Sequence, residues 1–183
     1  MLGVDDGGIL HGTSLKYDSI DAIVRTASLI IREYVRGNRI RRLILGGWSY
    51  GGVIALKMAQ YWHEERISDI VVQAVVLIDS PISTPKKLRK DDAPIQNESV
   101  AANHFAYCTN ILREYYKTEP PLVPCRLIDI RAQDSSYNFE SEKELQKYTT
   151  NQAVRYVSPG THWTVIAEEN ASNVAKALQF CLN

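Results

Sequence analysis

Apolar residues along this chain follow two alternating rhythms. Short runs rich in Val, Ile and Leu occur at 41–45, 71–78, 125–131 and 153–157, without clean every-second-residue alternation. Such runs predict strands of a parallel sheet buried on both faces. Between them, apolar positions recur at spacings of three and four. Residues 19–36 carry Ile20, Ile23, Val24, Ala27, Ile30, Ile31 and Tyr34 on one stripe, which predicts an amphipathic helix. Asp18 or Ser19 is placed to cap it, and Gly37 to end it. Similar patterns predict helices over 53–65, 99–116, 140–147 and 169–180, and 2–4 reads as a very short first strand. Strands alternating with helices imply an α/β fold: a mostly parallel sheet, right-handed crossovers and helices on both faces.

One stretch breaks the alternation. Residues 80–123 open with Pro81 and Pro85, pass through a charged loop, form a helix and close on Pro120-Pro121. An insertion at this point, after the carboxyl end of a strand, either covers a site as a lid or simply connects two strands. The whole chain, 1–183, reads as a single domain carrying this lid-like insertion.

Composition narrows the function classes. With 45% hydrophobic and 23% charged residues, the 183-residue chain suits one globular domain with a real core. Twenty-one basic and twenty-one acidic residues cancel, so charge drives neither a nucleic-acid nor a membrane-surface partnership. Arg39, Arg41 and Arg42 read as a solvated turn, and 86–92 as an exposed loop of mixed sign. Three widely spaced cysteines, Cys108, Cys125 and Cys181, suit reduced thiols better than a disulfide framework, with Cys125 in the core. No signal-peptide pattern and no apolar run of membrane-spanning length is present. A cytoplasmic protein without metal or organic cofactor is the expectation.

The chemistry concentrates at Leu43-Ile44-Leu45-Gly46-Gly47-Trp48-Ser49-Tyr50-Gly51-Gly52. A short strand runs into Gly-Trp-Ser-Tyr-Gly and then a helix, the context of a nucleophile elbow. The turn strains the serine backbone, with Gly47 and Gly51 expected to leave room where a Cβ would clash. Ser49 is lifted above the sheet at the positive end of the following helix. A serine hydroxyl needs a base, and the base needs an orienting carboxylate. Of the four histidines, His11 precedes the serine, His63 ends the helix behind it and His104 sits in the insertion helix. His162, in the turn after the last strand, lies at the same sheet edge as Ser49 and is the expected base. Asp79 and Asp134 both end strands at that edge. Asp79 closes a fully apolar strand, where an unpaired carboxylate is costly, and is favoured. Asp134 lies in a polar loop and stands as the alternative acid.

These residues resemble the thioesterase domain that ends fungal non-reducing polyketide synthases, and more broadly the thioesterases of polyketide and nonribosomal peptide synthases. The specific pieces are Leu45-Gly46-Gly47-Trp48-Ser49-Tyr50-Gly51-Gly52 and Leu77-Ile78-Asp79-Ser80-Pro81. His104-Phe105 with Leu112 and Tyr115, Val123-Pro124, Arg131-Ala132 and Gly160-Thr161-His162-Trp163 match more loosely. The resemblance runs over about 2–182. It implies a truncated α/β-hydrolase fold, Ser49, Asp79 and His162 as the triad, and the Tyr50 backbone N–H as an oxyanion donor. It also implies cleavage of an acyl chain from a carrier-protein thioester through an acyl-serine, by hydrolysis or cyclisation. Two departures stand out. The strand and loop that give the family its second oxyanion donor have no counterpart before 19–36, and the insertion is short. Trp48, His104, Phe105 and Trp163 are candidate pocket residues, along with Tyr50 and Tyr107.

Three functions follow. One is a serine hydrolase or thioesterase acting on an acyl thioester or ester, with an acyl carrier protein as a possible partner. The second is a non-hydrolytic cyclase, dehydratase or isomerase using His162 and Asp79 for proton transfer. The third is a non-catalytic, partner-dependent fragment whose edge strand pairs with another chain, including a second copy as a homodimer.

Overall fold

A computed structural model describes residues 3, 17–67, 69–83, 100–135, 137 and 142–182, with backbone alone at 100–105 and 180–182. The elements in chain order are α1 (Ile20–Gly37), β1 (Arg42–Trp48), α2 (Tyr50–Glu64), β2 (Val71–Ile78) and α3 (Val100–Tyr115). They continue with β3 (Arg126–Asp134), α4 (Glu142–Leu145) followed by a 3-10 turn (Gln146–Tyr148), β4 (Ala153–Thr161) and α5 (Glu168–Leu182). The expected strand at 2–4 and the charged part of the insertion fall outside the described residues.

The four strands lie in the order β1-β2-β3-β4, all parallel. Each crossover adds one strand on the same side of the last. Right-handed connections advancing in one direction must therefore put their helices on one face. The burial pattern agrees. Val75, Leu77 and Leu127 share a core with Val53, Leu56 and Met58 of α2, Ile23 and Val24 of α1, and Ile111 of α3. The alternate residues Ala74, Val76, Ile128 and Ile130 face Val165 and Val174, the latter on α5. The sheet is thus packed on one face by the main core and on the other, in part, by the smaller cluster with α5.

One expectation fails in part. The strands are not all buried on both faces: Ile44 is 43% exposed, Val71 55% and Val157 65%. The reason is coverage. On the second face α5 packs against β3 and β4, and no other described helix extends that layer across β1. Only β3 and the latter part of β2 meet the double-sided description. Pro159, which has no N–H to donate, falls on β4, the outermost described strand, where an edge position tolerates it.

Ser19 caps α1, its Oγ accepting from the Ala22 N–H at 3.2 Å. Gly37 remains helical and Asn38 forms the carboxyl cap. Cys108 and Cys125 are buried thiols outside any disulfide, and burial pushes the Cys125 thiol up to about 11, the behaviour of a core residue. No helix among the described residues is long and apolar enough to cross a membrane.

Parallel strands bring all their carboxyl ends to one edge. Trp48-Ser49, Ile78-Asp79, Asp134 and Thr161-His162 therefore meet there although they are far apart in sequence.

Candidate active site

Ser49 occupies the turn between β1 and α2 at φ 53 and ψ −125, a conformation an L-residue adopts only under strain. The surroundings hold it there. Its N–H donates to Ile78 O at 2.9 Å, and its carbonyl accepts from the Gly52 N–H at 3.1 Å. The side chain makes no capping bond to α2, so the hydroxyl is not consumed by the helix it precedes.

Glycine makes the turn possible at two places. A Cβ on Gly47 would fall onto the backbone of Gly51 and within 2.6 Å of Gly52 N, and one on Gly52 would meet Ser80 Cβ at 2.7 Å. Gly51 corrects the sequence expectation, because a Cβ there meets nothing within 4 Å. The second crowded glycine is Gly52, because Ser80 from the acid-bearing segment is wedged against it. Ser80 Oγ also donates toward Gly47 O and Ile78 O, each at 3.3 Å, tying the elbow to the end of β2.

Asp79 follows β2 in a left-handed conformation, φ 44, its N–H donating to Ile130 O at 2.8 Å. It is fully buried. One carboxylate oxygen, Oδ2, lies 2.8 Å from His162 Nδ1. The other accepts from Arg131 Nη1 and from the Ala132 N–H, both at 3.2 Å. Burial pushes the Asp79 carboxyl up, but the hydrogen bond with His162, the Arg131 charge and a Ser135 hydrogen bond outweigh it and hold it below the ordinary value. An ionised carboxylate only accepts, so Nδ1 must carry the proton in this bond. Neutral His162 therefore has its lone pair on Nε2, the state a general base requires.

His162 is itself buried, at 4% exposure. Trp48 stacks on its ring at 5.0 Å between centroids and 27° between planes, and Trp48 Nε1–H donates to His162 O at 2.9 Å. Tyr137 and Trp163 meet the ring edge-on at 4.9 and 5.1 Å. These aromatic rings thus fix the imidazole plane.

The other sequence candidates fall elsewhere. Asp134 ends β3, exposed and paired in the ladder with Thr161, while the described carboxylate on His162 Nδ1 is that of Asp79. His63 is exposed near the far end of α2. His104 and Phe105 lie on α3 with side chains outside the described residues, as is His11. Tyr50 packs, partly buried, against the main core, and Tyr107 donates to Tyr17 O at 2.7 Å. A cleft of about 370 Å³ bounded by Arg36, Arg66 and Asp69 sits near the start of β2, at the opposite edge of the sheet.

Sequence reasoning missed the ionic partners behind Asp79. Arg131 bridges Asp79 to Asp129 Oδ1 at 2.8 Å, and Asp129 Oδ2 accepts from Arg155 Nε at 2.7 Å. The signal was present: Asp129 and Arg131 interrupt an apolar strand two residues apart, hence on one face.

No protein-family model matches the chain. In sequence it is 27% identical over 172 residues to the thioesterase frbD of Dothideomycetidae sp. (strain 11243), covering 76% of this chain and 65% of that protein. It is 24% identical over 157 residues to the thioesterase AMT4 of Alternaria alternata, covering 75% and 59%. The chain therefore spans about two thirds or less of these relatives' length. In structure it is similar to the NocB thioesterase domain in covalent complex with a fluorophosphonate nocardicin G analog, with TM-score 0.66, 19% identity, and 93% and 78% coverage. It is similar also to the Vlm2 thioesterase domain, with TM-score 0.66, 17% identity, and 96% and 81% coverage. Human thioesterase 2 gives TM-score 0.62 and 17% identity, covering 96% and 91%. By sequence the chain is thus similar to these fungal thioesterases, and in fold it is similar to thioesterase domains of known structure.

Proposed function

We propose that this protein is a serine thioesterase that releases a polyketide-type acyl chain from a carrier-protein thioester through an acyl-Ser49 intermediate. The observation that carries the reading is the 2.8 Å bond between buried Asp79 and His162 Nδ1 at the sheet edge where strained Ser49 stands. A carboxylate buried at the end of an apolar strand is costly, and this pairing accounts for it.

In the proposed reaction Ser49 Oγ attacks the thioester carbonyl carbon, and its proton passes to His162 Nε2. Asp79 stabilises the imidazolium through Nδ1–H. The oxyanion is held by the backbone N–H of Tyr50, which opens α2 at the positive end of the helix. The tetrahedral intermediate collapses, the C–S bond breaks, and His162 returns the proton to the leaving thiolate. Water or a hydroxyl of the acyl chain then attacks acyl-Ser49, giving a free acid or a ring. Trp48 and Trp163 stand beside His162 and form the aromatic wall against which the acyl chain lies. In this reading the chain works as one domain carrying the insertion 80–123.

Hydrolysis or cyclisation of an acyl N-acetylcysteamine thioester tests the reading. Wild type turns it over, and Ser49→Ala and His162→Ala lose turnover by about three orders of magnitude or more. Full activity in Ser49→Ala with none in His162→Ala points instead to proton-transfer chemistry without an acyl-enzyme.

A further inference from the structure

We infer that Arg131 is a positioning residue for the Asp79–His162 pair, and that Asp129 and Arg155 set how much of its charge the pair feels. The inference rests on the hydrolase reading above and extends it one layer behind the acid.

The strand register builds the arrangement. Ile78 lies opposite Ile130, so Asp79, just past the end of β2, comes beside Arg131; Asp129 lies opposite Arg155 on β4. Four side chains then alternate in sign: Asp79, Arg131, Asp129, Arg155. The links measure 3.2, 2.8 and 2.7 Å. Both carboxylates are fully buried, the Arg131 side chain is 8% exposed, and Arg155 opens further at 16%. The chain of charges runs from the imidazole to the sheet edge.

A stability role alone explains this poorly, because buried ion pairs return little net stabilisation against apolar packing. Its geometry suits catalysis better. Arg131 Nη1 and the Ala132 N–H occupy Asp79 Oδ1, which leaves Oδ2 in one orientation toward Nδ1. Arg131 also places positive charge behind the carboxylate that must stabilise the imidazolium. Too much of that charge would weaken His162 as a base, and Asp129 takes up the excess. The other groups facing this region are Tyr137 and Trp163 at the imidazole edge, Trp48 on its face, the Ser135 hydroxyl near Asp79 and exposed Asp134 at the end of β3. Tyr115, Tyr116 and Tyr148 donate to the carbonyls of Pro81 and Ile82. Burial pushes the phenols of Tyr115 and Tyr116 far up, so they stay neutral.

The sign of each substitution follows. Removing the Arg131 cation leaves the imidazolium against an uncompensated carboxylate, so His162 holds its proton to higher pH. Removing the Asp129 anion frees the full Arg131 charge, so His162 releases its proton at lower pH.

The test is the pH dependence of the rate at which a fluorophosphonate labels Ser49, followed by intact mass. The acid limb of wild type moves up by about one pH unit in Arg131→Gln and down by about half a unit in Asp129→Asn. Arg155→Gln, on the most exposed member, moves it up by less than Arg131→Gln and serves where the buried variants do not fold. An acid limb that stays in place, or moves the same way in the variants of opposite charge, overturns the role of Arg131 while leaving the nucleophile reading intact. Failure of folded wild type to label at any pH overturns both.

Discussion

Trp48, immediately before Ser49 in sequence, holds His162 in two ways: its indole covers the His162 ring at 5.0 Å, and its Nε1–H donates to His162 O at 2.9 Å. One indole therefore fixes the position of the loop after β4 and the face of the imidazole. Trp48→Phe keeps a stacking ring and loses the donor; Trp48→Ala loses both. We expect kcat to fall by about tenfold in the first and about a hundredfold in the second, with KM changing less, in a steady-state comparison on one thioester. Equal losses in the two variants would assign the effect to the hydrogen bond alone.

Ser49 holds a strained backbone conformation in the turn between β1 and α2. At φ 53 and ψ −125 glycine is comfortable and serine is not. Ser49→Gly is expected to abolish turnover while raising stability by about 1 kcal/mol, measured by urea unfolding. A destabilised Ser49→Gly would mean that the hydroxyl supplies a structural bond.

The two glycines after Tyr50 are predicted to behave differently. Gly51→Ala places a methyl in open space near the start of α2, so it is neutral or stabilising by about 0.5 kcal/mol. Gly52→Ala drives a methyl into Ser80 and costs about 2 kcal/mol or more. Ser80→Gly on that background returns part of the loss, and the double-mutant cycle measures the contact.

Asp79 gives a pH dependence of stability. Its folded-state carboxyl is held below the ordinary 3.8. A depressed value stabilises the fold above the unfolded-state pKa, and that contribution is lost as pH falls through the folded-state pKa. Asp79→Asn keeps the shape but leaves Arg131 facing a neutral amide. At pH 6 we expect it to be less stable than wild type by about 3 kcal/mol, the gap narrowing below about pH 4. Its kcat should drop by about 10⁴-fold, because an asparagine carbonyl or amide no longer enforces the Nδ1–H tautomer as an anion does. A gap that widens in acid would contradict the assignment of Asp79 as a buried anion.

Much of this architecture was legible because strand and helix periods differ, and because β2, apolar but for Gln73, runs from Val71 to Ile78, the bounds its apolar run predicts. The carboxyl ends of the other strands were harder to read. β1 runs on through Gly46-Gly47-Trp48, β3 through Ala132-Gln133-Asp134 and β4 through Ser158-Pro159-Gly160-Thr161. There the ladder continues because a neighbouring strand supplies partners, while the side chains have already turned to glycine and polar residues that signal a loop. Likewise α2 begins at Tyr50 rather than Val53, since the two glycines carry no pattern. The cost of burying a carboxylate at the end of an apolar strand pointed to a partner for Asp79. The same argument applied to Asp129 within β3 leads to Arg131 and Arg155. Trp48 could be read only as aromatic lining, because its contact with His162 spans 114 residues of sequence.

The central claim is that Ser49 is a nucleophile activated by His162. Intact-protein mass after treatment with a fluorophosphonate, with peptide mapping of any adduct, tests it most directly. A single phosphonyl adduct on Ser49 in wild type, absent from Ser49→Ala and formed far more slowly in His162→Ala, is the result predicted. A folded wild-type protein that takes up no adduct, or one that reacts at another residue, would contradict it.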